Sequence, residues 1–317
     1  MRNSAAKRLI LPIAALLAVM LLPGCGIVFD TDYHSGYNVY DSGESELDAS
    51  AIDELYLNTS DAYVTVAVSD EAAIRYEIGG TGRRAEGPTV DFSTEDGRLT
   101  VNYDSEGKRG RNCIITVELP ADSISTVTAD FTSGVVEIQG FHIETLNCLF
   151  TSGAAFISDV AADGIFACFT TGAMELDGIE VRSLSLGYSS GHVEADEVDA
   201  EEAEFLLASG SVNFSGEVAS LTADLTSGAA MYKLYSAPGN INAAVTSGAL
   251  EIRLDGEPEN GFTLEYEKGS GVMEIGLDYD GVINSEQKKG TVKGGALQHE
   301  ARYSLKLDSG VLRLIKD

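Results

Sequence analysis

Phe131-Thr132-Ser133-Gly134, Phe150-Thr151-Ser152-Gly153, Phe169-Thr170-Thr171-Gly172 and Tyr188-Ser189-Ser190-Gly191 are versions of one phrase, each 19 residues after the last. The hydroxyl-Gly pair returns at Gly210, Gly228, Gly248, Gly271 and Gly310, at spacings of 19, 18, 20, 23 and 39, the last close to two periods. Aligned on the glycine, apolar residues stand three before it (Phe131, Phe150, Phe169, Tyr188, Leu207) and seven before it (Val127, Leu146, Ile165, Leu184). They stand again two after it (Val136, Ala155, Met174, Val193) and four after it (Ile138, Ile157, Leu176, Ala195). Odd offsets before the glycine and even offsets after it are two strands interrupted by a turn. A unit this short cannot bury its apolar face alone. Stacked on its neighbours it can, with like residues ~4.8 Å apart. The sequence predicts an all-β fold: a parallel β-solenoid, or β-helix, of ~19-residue coils, nine of which make a rod of roughly 40 Å. A β-sandwich has no reason to hold one register for so long.

Upstream, alternation over Tyr63 to Val68, Ile74 to Ile78, Leu99 to Tyr103 and Ile114 to Leu119 predicts further strands, the last stopped by Pro120. Residues 51–317 are therefore the repeat domain, with irregular coils over 51–120 and regular Ser-Gly repeats over 121–317. Residues 25–50, rich in Asp, Ser, Gly and Tyr, read as a flexible tether. Ahead of it, Arg2, Lys7 and Arg8 precede a 14-residue apolar run from Leu9 to Leu22. The run is too short to span a bilayer, which needs ~20 residues, and suits a signal peptide. Leu22-Pro23-Gly24-Cys25 resembles a bacterial lipobox, with Pro23 an unusual occupant of its middle slot. Residues 1–24 are thus expected to be a lipoprotein signal peptide. Cys25 would become the acylated N-terminus, carrying palmitate-type chains into the bilayer. The expected address is the cell membrane or outer membrane, facing away from the cytoplasm.

The chain has 317 residues, 21 Lys+Arg and 50 Asp+Glu, a formal charge of −29. Removing residues 1–24 would leave 317 − 24 = 293 residues and a charge of 18 − 50 = −32. The length permits one large or two ordinary domains. A hydrophobic content of 44% excludes wholesale disorder. So acidic a surface argues against nucleic-acid binding, which needs a basic face. Cys113, Cys148 and Cys168 are an odd set in an exported chain and contain no CxxC. Cys148 lies five before its glycine and Cys168 four before its own, so the two point to opposite faces. Cys148 belongs in the core, and Cys168 faces outward.

Ser or Thr immediately before each glycine serves the turn and can bond from coil to coil. Three after the glycine stand Glu137, Glu175, Glu194, Glu251 and Glu274, with Phe156, Asn213 and Met231 in the other coils. Glu175 and Glu194 fall in neighbouring coils, a separation near the ~5 Å of a retaining glycosidase pair. With Asp196 they are also the candidates for holding Ca²⁺. The plainer reading is a solvated face that deters aggregation. No catalytic set, resident metal or cofactor is expected. The acid-rich run Glu194 to Glu204 lacks the spacing of an EF-hand. Gly79 to Arg84, Lys108 to Arg111 and Lys288 to Gly295 read as basic hairpin tips able to touch anionic lipid or wall polymer. His34, His142, His192 and His299 are scattered, and no Ser/His/Asp spacing emerges.

Leu57 to Val66, Val117-Glu118-Leu119-Pro120 followed by Val127 to Ile138, the Thr-Ser-Gly repeats and the closing Leu305 to Leu314 together resemble the bacterial putative-adhesin family of β-strand repeats, a domain of unknown function. The resemblance covers roughly residues 50–317. It implies surface exposure, association with partners or with itself, and in some members a connection with envelope stress responses. It brings no catalytic residues. The expected function is that of a non-enzymatic, lipid-anchored envelope protein, adhesin-like or a scaffold, binding envelope proteins, polysaccharide or copies of itself. The alternatives are a carbohydrate-active β-helix using the outward carboxylates and a Ca²⁺-dependent polymer-binding module.

Overall fold

The computed structural model describes residues 37–81, 88–105, 111–279, 288–295 and 301–317. The signal segment, Cys25, His34, His299 and the tips around Arg83 and Arg109 lie outside the described residues. Eighteen strands occupy the rest. They are β1 (Tyr37–Glu46), β2 (Glu54–Thr59), β3 (Tyr63–Val68), β4 (Ala73–Thr81), β5 (Val90–Glu95) and β6 (Arg98–Tyr103). Next come β7 (Arg111–Leu119), β8 (Thr126–Phe131), β9 (Val135–Gln139), β10 (His142–Phe150), β11 (Ala154–Ser158) and β12 (Ala161–Leu207). The last are β13 (Ser211–Leu234), β14 (Asn240–Leu254), β15 (Phe262–Lys268), β16 (Val272–Gly276), β17 (Lys289–Gly294) and β18 (Ala301–Lys316). β12 and β13 are long because their pairing continues round the corners between coils. The fold is all-β and mostly parallel.

Each coil contributes one strand before the Ser-Gly turn and one after it, building a first and a second parallel ladder. In the first, Leu146 pairs with Val127 and Phe150 with Phe131, both 19 residues apart. In the second, Ala155 pairs with Val136, again 19 apart. Leu207 pairs with Leu225, 18 apart, and Leu225 with Val245, 20 apart, so register follows the Ser-Gly spacing. The inward columns close one continuous core. Phe131, Phe150, Phe169 and Tyr188 stack face to face at 4.7, 4.5 and 4.6 Å between centroids, the repeat of the ladder itself. A further buried column stands five before the glycine: Ala129, Cys148, Ala167, Leu186 and Phe205. It is small where its neighbour is aromatic. From Phe205 onward the bulk shifts to this side, where Phe205 meets Phe214 and Tyr232 edge-on at 5.5 and 5.0 Å. Cys113 and Cys148 are buried and Cys168 is exposed, all three as free thiols.

The turn glycines answer to backbone approach. A β-carbon on Gly153 would lie 2.5 Å from the Gly134 carbonyl oxygen, on Gly191 2.6 Å from that of Gly172, and on Gly271 2.5 Å from that of Gly310. Gly153 also sits at φ +138°. The adjacent hydroxyls tie coil to coil. Ser133, Thr171, Ser270 and Ser309 donate to the carbonyls of Ser60, Thr151, Asp308 and Thr246 in the layer beside each.

Spatial order departs from chain order at both ends. β2 and β3 lie between β6–β7 on one side and β8–β9 on the other. At the far end β18 slots between β14 and the β15–β16 coil, so Gly310 stacks on Gly248 and Gly271 stacks on Gly310. The 39-residue gap is therefore not two successive coils, as its length suggested. Eleven layers stack in this way, and ten ladder steps make them about 48 Å long. Antiparallel strands finish both ends: β5 on β6, β4 on β7 and β1 on β4 at one, β17 on β15 at the other. Two expectations change here. Tyr37–Glu46, read as tether, is a strand. Lys289–Gly294, read as a hairpin tip, is a capping strand whose Val292 is buried.

Candidate functional site

The outer faces carry the chemistry. On the first ladder, Leu149, Cys168, Gly187 and Leu206 stand four before successive glycines and form one column along the rod. Leu149 is 43% exposed and Leu206 44%; Phe166, 42% exposed on the same outer face, covers Gly164. The exposed hydroxyls of Thr132, Thr151, Thr170 and Ser189 run parallel to this column, two before each glycine. Leu149, Cys168, Gly187, Leu206 and these hydroxyls line an open groove of about 850 Å³ reaching from Asp130 to Thr246. Gly187 is unlike the turn glycines. A β-carbon there would meet no atom within 4 Å. The fold does not require glycine at this mid-strand position, where it costs ~0.5–1 kcal/mol relative to Ala. It leaves a notch in the apolar column, as strand glycines do where something approaches the backbone.

On the second ladder the expected acidic column is present, with one feature the sequence reading missed. Glu175 and Glu194 fall in adjacent layers. Burial first, then Asp177 and Glu194, hold the Glu175 carboxyl above its ordinary value. Glu194 is tied down: Asn213 Nδ2 donates to it at 2.7 Å and His192 Nε2 lies 3.2 Å away. Asp196 accepts from the Ser215 hydroxyl. Glu251 and Glu274 are not neighbours, because Arg313 stands between them in the same column, 3.2 Å from one and 3.0 Å from the other. Arg253 adds a 2.6 Å pair to Glu251, and these two arginines, Arg253 foremost, hold its carboxyl below the ordinary value. Arg313 was legible: it stands three after Gly310, the offset of the acids.

The structure also joins Ser211, His192 and Glu194, with Ser211 Oγ 2.8 Å from His192 Nδ1. The serine and histidine are 19 residues apart, so stacking brings together what chain spacing hides. Among the described residues no three His, Cys, Asp or Glu side chains are grouped to hold a metal ion. His142 lies at the other corner, 3.4 Å from Asp122. The Glu194 to Glu204 run rounds a corner with Asp196, Glu197, Asp199, Glu201, Glu202 and Glu204 exposed.

The Glu175 shift has a measurable sign. Its folded form holds a proton more tightly than the unfolded chain, so ionisation at neutral pH costs stability, and that cost disappears as pH falls below the unfolded value. Glu175→Gln is therefore expected to raise the melting temperature at pH 7, with the gain shrinking to nothing on acidification past the ordinary carboxylate range. A gain independent of pH would show that burial of charge is not its cause.

These features define an all-β repeat protein that presents open strand faces, the groove of the first ladder among them. A family model for the Toastrack domain, DUF4097, matches residues 52–314, and the chain belongs to that family. A search among curated proteins finds no match. The structure is similar to that of a putative adhesin from Parabacteroides merdae, at 12% identity over 89% of this chain and 97% of that one, with a TM-score of 0.50. A second, from Bacteroides fragilis, is 13% identical over 86% of this chain and 95% of that one, with a TM-score of 0.46. At such identity the first likeness is one of fold alone, and the second adds nothing to it.

Proposed function

We propose that this chain is a lipid-anchored, non-enzymatic surface protein of the bacterial envelope, a parallel β-solenoid of ~19-residue coils with an adhesin-like or scaffolding role. The observation that carries this reading is the open groove of the first ladder, where exposed Leu149 and Leu206 run beside a row of hydroxyls from successive coils. Such a surface suits an extended partner lying along the rod, a polysaccharide strand or a segment of an envelope protein. Apolar contacts supply affinity, and the repeated hydroxyls supply hydrogen bonds at the ladder spacing. Export and acylation at Cys25 would keep the groove outside the cytoplasm. In this proposal the anchor is the acyl chains on Cys25. The fold relative from Parabacteroides merdae, named as a putative adhesin, is consistent with a surface address.

The test expresses the full chain in a bacterium and measures retention of immobilised envelope polysaccharide and of surface proteins. Leu149→Glu with Leu206→Glu should abolish retention without lowering the melting temperature, because both positions are exposed. Cys25→Ser should release the chain from membranes. Undiminished retention by the double variant would overturn the groove assignment, and membrane retention of the Cys25 variant would overturn the anchor.

A further inference from the structure

The two ends of the rod fit each other. In the first ladder the outermost described strand at one end is β5 and at the other β17. Both run against the parallel strands beneath them. Placed end to end, β17 of one copy and β5 of the next would run in the same direction. Their register is already set by the columns of the rod. Asp91 pairs with Asn102, Ser93 with Thr100 and Glu95 with Arg98. Lys289 pairs with Glu267, Thr291 with Glu265 and Lys293 with Thr263. Asn102 and Glu267 belong to one column, Thr100 and Glu265 to the next, and Arg98 and Thr263 to the third, through the chain of pairings that links every layer. Axial stacking therefore sets Lys289 against Asp91, Thr291 against Ser93 and Lys293 against Glu95.

All six side chains are exposed. The acids and the lysines share a four-residue spacing, so both charge pairs meet at once. Asp91, Glu95 and Lys293 have no ion-pair partner among the described residues, and Lys289 pairs with Glu267 at 2.9 Å within its own chain. The ends are also stepped in opposite senses. β1 lies one layer beyond β5 in the second ladder, and β17 lies one layer beyond β16 in the first. A step on one copy meets the recess of the next, bringing β1 against β16, again in parallel. One contact there is adverse: Glu44 would share a column with Glu274. Each already has its own arginine, Arg75 at 2.6 Å and Arg313 at 3.0 Å.

We propose that the partner of these ends is a second copy of this chain, and that copies join head to tail with β17 of one extending the first ladder of the next through β5. The contact is heterologous and does not close on itself, so it yields filaments rather than a fixed dimer. Among the described residues no strand pairs with the outer edges of β5 and β17, and the contact completes both. It is independent of what the long groove binds.

The test uses the full chain with Cys25→Ser and Cys168→Ser, which leaves only the buried Cys113 and Cys148 as native thiols. Glu95→Cys and Lys293→Cys are introduced together. Mild oxidation should give a ladder of covalent dimers, trimers and longer species, while each single variant stays monomeric. Dimers formed by either single variant would mean like ends meeting and would overturn the proposal, as would the absence of a ladder from a double variant that melts normally. In sedimentation, Lys293→Glu should weaken self-association at least tenfold. Mixing it with Glu95→Lys copies should restore it, a rescue that misfolding cannot mimic. Loss of groove binding with the ladder intact would count against the proposed function alone.

Discussion

Gly153→Ala is expected to destabilise the middle of the rod by roughly 3–5 kcal/mol, combining a strained positive φ with overpacking. The new methyl would stand 2.5 Å from the Gly134 carbonyl oxygen and 3.2 Å from the Phe131 ring, and backbone cannot yield while the ladder on either side holds. Gly191→Ala offers a graded comparison. It meets the same obstruction, 2.6 Å from the Gly172 carbonyl oxygen, but is not among the positive-φ glycines. It should therefore cost less than Gly153→Ala. Urea unfolding gives the difference, and hydrogen exchange should locate the loss in coils flanking the substitution, because repeat arrays couple chiefly to nearest neighbours. Equal effects at the two sites would mean that backbone conformation contributes nothing and that close approach alone selects glycine.

Phe150→Ala should cost roughly 3–5 kcal/mol, the range for emptying a buried aromatic site. Phe150 has a ring on each side, 4.7 Å from Phe131 and 4.5 Å from Phe169, so its removal breaks the stack as well as opening a cavity. Leu149→Ala, one residue away on the opposite face, should change stability by no more than ~0.5 kcal/mol. The pair measures strand alternation at a single step. Comparable losses at both positions would refute the assignment of inner and outer faces.

The regular middle of the fold was readable because a stacked coil imposes the same demands each time. Phe131, Phe150 and Phe169 recur since only a side chain of that shape stacks on its copy, and the glycines recur since backbone passes backbone there. Where the demand can be met by two columns jointly, the pattern blurs. Ala129, Cys148 and Ala167 fill a core column, but small residues carry little hydrophobic signal, so the column was recognised only at Cys148. The ends were harder. Position in space there is decided by which strand covers an edge, and spacing along the chain does not record it. Gly310 follows Gly271 by nearly two periods yet stacks on Gly248. Val292 is one buried side chain between glycines and lysines, too short an alternation to distinguish a capping strand from a turn. The groove is half visible in the sequence: Cys168 marks its outward offset, whereas Leu149 and Leu206 share that offset but adjoin the buried Phe150 and Leu207, so the alternation is hidden there. The Ser211–His192–Glu194 contact lay beyond any reading by local motif, since its members become neighbours only through stacking.

The seating of β18 between β14 and the β15–β16 coil governs how this molecule can be made and remade. A nascent chain emerging from its N-terminus cannot build this end in order, since residues 301–316, which lie inside residues 262–276, are synthesised after them. Residues 262–276 gain their parallel neighbour only when residues 301–316 have been made. The middle has no such constraint. Whole 19-residue units between residues 126 and 254 can be gained or lost without disturbing either clasp, which makes the length of the rod a quantity that duplication and deletion can tune while both termini keep their form.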